Sequence, residues 1–183
     1  FTTSADDAAI TLTQANNALS GAVTLVSTDT DTDNTEAVQL TNSVATVLAA
    51  NTESGTLTVI SGGDITQTGA LTVGGTSSFT TSADDAVITL TQANNALSGA
   101  VTFVSTDTDT DNAEAIQLTN NVATGTILGG STESGTLAVV STLGDITQTG
   151  ALDVDGVSSF TTSADDAAIT LTQANNALSG AVT

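Results

Sequence analysis

Two stretches carry most of the residues that could do chemistry. Thr28 to Asn34 reads TDTDTDN, and the same seven letters recur from Thr106 to Asn112. In extended backbone alternate side chains share a side, so Asp29, Asp31 and Asp33 point one way. Spaced oxygen donors suit Ca²⁺. The candidate ligands are Asp29, Asp31, Asp33, Asn34 and Glu36, with Asp107, Asp109, Asp111, Asn112 and Glu114 as their copies. The pattern is not an EF-hand loop, and strict extension spreads the ligands too far for one ion, so each segment would have to curl. The competing reading is a solvated acidic face that keeps a β-rich chain soluble and blocks side-to-side pairing.

Charge makes the question pressing. The chain has 20 Asp and Glu and no Lys, Arg or His, for a formal net charge of −20. Two carboxylates about 4.8 Å apart repel by roughly 1 kcal/mol in water, and by about 3–4 kcal/mol at an effective dielectric of 20. Only external cations can screen or bridge a column of them. The same balance argues against nucleic-acid binding, which needs Lys and Arg on the phosphates. It also sets the chain against anionic membrane surfaces, and no apolar run is long enough to span a bilayer. With no Cys, disulfides and thiolate metal sites are excluded.

These acidic stretches sit in a tandem array. Phe1 to Thr24 returns at Phe79 to Thr102 with one change, Val87 for Ala9, and at Phe160 to Thr183 unchanged. The units are 1–78, 79–159 and the partial 160–183, expected to form one continuous solenoid within something longer. In such arrays each unit buries its apolar face against its neighbours. The apolar content is 39%, too high for a chain kept disordered by charge. Large side chains are scarce, so the expected core is a narrow stack of Val, Leu and Ile.

The expected fold class is all-β, a parallel β-helix. Apolar–polar alternation recurs between Gly, Asn, Asp and Ser clusters. The first unit divides into three coils: Ala8 to Glu36, Ala37 to Gly63 and Asp64 to Asp85. Each holds three short strands, which makes a three-faced solenoid; a four-coil division with shorter rungs is the alternative. Ile10, Leu12, Val23, Leu25, Val38, Leu40, Leu57, Val59, Ile65, Leu71 and Phe79 should point inward. Acidic residues precede the first strand of every coil (Asp6 and Asp7, Glu36, Asp64, and Asp84 and Asp85, Glu114, Asp145), so they should stack along one edge of the rod. The second unit gains two residues within Val122 to Gly130 and one within Val139 to Asp145, where corners absorb length changes. Asn16–Asn17 and Asn94–Asn95 fall at a corner, where side-chain amides can stack in ladders. Gly21, Gly55 and Gly69 mark further corners.

GDITQTGALTV (Gly63 to Val73) and AITLTQANNALSGAVTLVST (Ala9 to Thr28) are similar to the repeats of large bacterial surface exoproteins, the filamentous-haemagglutinin-like, β-strand-repeat adhesins. The resemblance covers the whole chain. It implies a secreted right-handed parallel β-helix at the cell surface, acting as a stalk, fibre or adhesin. Unpaired rungs at both ends of the rod should recruit other copies end to end, or continue into more repeats of a longer chain; any surface or glycan ligand is expected elsewhere in the full protein. The GGxGxD nonapeptides of calcium β-rolls are missing.

Two other functions compete with a structural role. An enzyme is not expected: carboxylates alone can cleave glycosides, but no His, Lys, Arg, Tyr or Cys accompanies them, and each acidic cluster is duplicated where an active site should be singular. Ice binding would use Thr-x-Thr pairs such as Thr11 and Thr13 or Thr66 and Thr68. The middle coil interrupts that ladder with Gln39 and Thr41, and Thr is common on any solvated strand face.

Overall fold

The computed structural model describes residues 1–28, 35–105 and 113–183. Among them are 22 strands and no helix. Every strand pairing is parallel, and the sheets stack as a β-solenoid of about eight turns. The strands lie in three sheets of five, ten and seven strands. Alternation decides which side chains go in. Ala37–Asn42 and Thr56–Ser61 each bury every second residue, and Val38 pairs with Leu57 and Leu40 with Val59. Ten of the eleven residues expected in the core are buried, and the remaining one, Leu12, packs against it. Phe79 and Phe103 stack on adjacent turns, ring centroids 5.9 Å apart.

The turns differ in length. Val38 to Leu57 takes nineteen residues, whereas Ile10 to Val38 and Ile88 to Ile116 each take twenty-eight. Both long steps contain an acidic segment. The described strands on either side keep their rung register. The corner at Ser-Ala-Asp-Asp is made by Asp7, Asp85 and Asp166, whose φ values of 55°, 57° and 59° fall in the left-handed region that Asp tolerates better than most residues. Within Val122 to Gly130, where the second unit gains two residues, Gly125 and Gly130 take φ values of 91° and 144°. The one-residue register shift between Val101 and Thr102 has a counterpart in the first unit, between Val23 and Val26. The third added residue falls next to Leu143, which projects into solvent.

The repeat and the turn do not share a period. Ten strands, from Thr2–Thr3 to Leu71–Val73, precede the strand that carries the second copy of Phe1, and they wrap round three faces. A unit is therefore three turns plus one face. Thr2–Thr3 lies in the five-stranded sheet, its copy Ser77–Thr81 in the ten-stranded sheet, and the third copy Ser158–Thr162 in the seven-stranded sheet. In the same way Ala37–Asn42 and Thr56–Ser61 lie in the ten-stranded sheet and their copies Ala115–Asn120 and Thr136–Ser141 in the seven-stranded one. Each unit begins one face further round than the last. The three-coil division of the unit is corrected accordingly: three strands per turn holds, three turns per unit does not.

Candidate functional site

The expectation of one acidic edge fails with that offset. Asp6, Asp7 and Glu36 precede strands of the ten-stranded sheet, whereas Asp84, Asp85 and Glu114 precede strands of the seven-stranded sheet. Equivalent acidic residues of successive units therefore occupy different corners. The candidate ligands Asp29, Asp31, Asp33, Asn34, Asp107, Asp109, Asp111 and Asn112 lie outside the described residues. Glu36 and Glu114 are described, and they are not on the outside at all: each is 1% exposed.

Each of these two has an acidic companion that the sequence reading missed. Glu53 is 1% exposed and Glu133 is 2% exposed. Parity pointed to both. Counting back by twos from the core residue Leu57 reaches Gly55, Glu53 and Asn51, and from Leu137 it reaches Gly135, Glu133 and Ser131, all on the inward side. Glu36 shares the inward parity of Val38 and Leu40. Attention to charge as a surface property masked this signal.

Stacking brings the members of each pair together. The Glu36 carbonyl accepts the Thr56 N–H at 2.8 Å, and the Glu114 carbonyl accepts the Thr136 N–H at 2.9 Å. Glu36 thus lies one rung below Gly55, two residues from Glu53, and Glu114 bears the same relation to Gly135 and Glu133. The approach is so close that a Cβ on Gly55 or Gly135 would overlap the carbonyl beneath it. Below Glu53 in register is Ser27, and below Glu133 is Ser105. Their hydroxyls donate to the Ala8 and Ala86 carbonyls at 3.0 and 2.9 Å.

The carboxylates are poorly satisfied. Oε1 of Glu133 accepts the Gly135 N–H at 3.2 Å, and Oε1 of Glu114 accepts the Asp85 N–H at 3.3 Å. The other six oxygens of the four groups have no hydrogen-bond partner. Burial pushes the Glu53 carboxyl up to about 8. Burial also pushes Glu133 to about 8; the Gly135 N–H opposes the rise and the Glu114 charge adds to it. Each site offers two carboxylates: among the described residues no three acidic side chains converge on a point that could hold a metal.

One member of each Asn pair bonds across turns, to backbone carbonyls and to Gln rather than in a ladder of Asn amides: Asn17 Nδ2 donates to the Leu12 and Thr41 carbonyls at 3.0 and 3.1 Å. Asn95 is buried, and its Nδ2 donates to the Leu90 and Thr119 carbonyls, both at 3.1 Å, and to Gln67 Oε1 at 2.8 Å. Its Oδ1 accepts the Leu71 N–H at 2.9 Å and Gln67 Nε2 at 2.8 Å. One amide therefore ties three successive turns. Asn176 repeats the bond pair with Gln148.

Neither a curated protein nor a solved structure matches the chain. One family profile matches it twice, over residues 35–104 and 113–183. Each match begins just before a buried glutamate, Glu36 or Glu114, and contains its companion. With most of its length covered in this way, the chain belongs to the family described as repeats of unknown function (DUF5649).

Proposed function

We propose that the chain is a structural segment of an extracellular bacterial fibre or adhesin stalk. The observation that carries this reading is the one-face advance: a single repeated sequence closes its turns on every face of the prism, so units can follow one another without a seam. Strength along such a rod comes from rung-to-rung backbone bonds, for example Leu57 N–H to the Thr76 carbonyl and Ser77 N–H to the Ala100 carbonyl, both 3.0 Å. Charged side chains of one sign only suit a rod that must not stick to its neighbours. The first and last turns pair on one side only and carry exposed Phe1, Ile169 and Val182. Those ends are where further units, or other copies, would add.

Two measurements test the proposal. Arrays of increasing unit number, imaged by electron microscopy, should lengthen by roughly 16 Å per unit, the rise of three and a third rungs spaced about 4.8 Å apart. Arrays that become globular, or do not lengthen, overturn the rod. Mild protease treatment of intact producing cells should remove the repeats; protection until lysis overturns the surface location.

A further inference from the structure

We infer that each repeat unit holds one Ca²⁺ ion inside a corner of the solenoid, between Glu36 and Glu53 in the first unit and between Glu114 and Glu133 in the second. This goes beyond the structural role and stands whether or not the rod is displayed on a cell.

The argument begins with what the four carboxylates lack. They are 1–2% exposed, and six of their eight oxygens have no hydrogen-bond partner. An isolated buried carboxylate costs several kcal/mol unless it is paired, coordinated or neutralised. Pairing within the chain is closed off, because the sequence contains no Lys, Arg or His. Protonation of one member removes a charge and lets its O–H donate to the other carboxylate, but it leaves the remaining oxygens unsatisfied. A cation between two carboxylates satisfies several oxygens at once.

The arrangement is also built twice. The second pair lies on a different face, with a two-residue insertion between its members (Glu114 to Glu133 against Glu36 to Glu53), and the close stack of Gly135 over Glu114 is nevertheless kept. The repeat thus rebuilds the same buried pair on a second face and across a longer step. The donors are oxygen only, which selects a hard cation over zinc or copper. Two carboxylates are too few to enclose Mg²⁺ in a rigid octahedron, whereas Ca²⁺ accepts irregular sets completed by backbone carbonyls and water. Few protein ligands mean weak binding, in the range of extracellular modules, roughly 0.1–1 mM.

The test is equilibrium dialysis of the 183-residue chain, stripped with chelator, against Ca²⁺ at matched ionic strength in NaCl, together with thermal melting. The expected result is two ions per chain and a higher melting temperature in about 1 mM Ca²⁺ than in matched NaCl. Glu53→Gln alone should lower the count to one, leaving the second site as an internal control for folding. Glu53→Gln with Glu133→Gln should abolish binding. Asn at Asp29, Asp31, Asp33, Asp107, Asp109 and Asp111 should leave both ions bound. Absence of binding to the parent chain overturns the inference. So does binding that survives the double glutamine variant, or that disappears with the six Asp residues while the glutamine variants keep it.

Discussion

Gly21 and Gly99 sit in the same local sequence, Leu-Ser-Gly-Ala-Val, and their different surroundings allow a clean test of the stack. A Cβ on Gly21 meets nothing within 4 Å. On Gly99 it would lie 2.5 Å from the carbonyl carbon of Gly75 and 2.8 Å from the Thr76 nitrogen, with the Gly75 oxygen nearer still. Ordinary contact needs about 3.4 Å, so Gly99→Ala must push adjacent turns apart by roughly 1 Å against a rung spacing of about 4.8 Å. Two rung bonds flank the point: Ser98 N–H to the Val73 carbonyl at 2.9 Å and Ser77 N–H to the Ala100 carbonyl at 3.0 Å. Losing both costs roughly 2 kcal/mol, at about 1 kcal/mol each, before any strain is counted. For a chain of this size that lowers the melting temperature by about 4–8 °C. Gly21→Ala should leave it unchanged or raise it slightly, through the entropy removed from the unfolded chain. Circular-dichroism melts of the two variants and the parent, run side by side, measure the difference. If the variants melt together, the turns are not stacked in the register described.

Three further outcomes follow from the interior. With chelator present, stability should fall between about pH 4.5 and pH 8 and then level off: Glu53 and Glu133, raised to about 8 mainly by burial, hold protons in the folded state that the unfolded chain has already released. The loss is roughly 4–5 kcal/mol per group over that window, at about 1.4 kcal/mol per pH unit; urea titrations at pH 5 and pH 8.5 that agree would refute it, and the double glutamine variant should lose the dependence. Phe79→Ala removes one of two stacked rings from a fully buried position and should cost about 3–5 kcal/mol by urea unfolding. Asn95→Ala leaves partners on three turns unsatisfied and should cost about 3 kcal/mol or more, whereas Asn94→Ala, at an exposed position, should stay within about 0.5 kcal/mol.

The interior was legible where alternation and residue type agreed. Val38 and Leu40, or Leu57 and Val59, are apolar residues at inward parity, and both cues gave the same answer. At Glu36 and Glu53 the cues conflicted, and parity prevailed over charge. Asn95 was assigned to the right corner, but its burial depends on Gln67, twenty-eight residues earlier, which only the stacking of turns reveals. The phase of the repeat against the turn was out of reach for a related reason. Turn length varies from nineteen to twenty-eight residues, and the faces are set by hydrogen bonds between turns rather than by any fixed sequence interval.

That mismatch of phase makes the array a rotary spacer as well as a linear one. Whatever is joined beyond a run of these units is aimed by their number: one unit more or fewer swings it through a third of a revolution about the axis, and three bring it back to its original bearing, ten turns further out. Gain or loss of units would then alter direction and reach together. Only changes in multiples of three would alter reach alone.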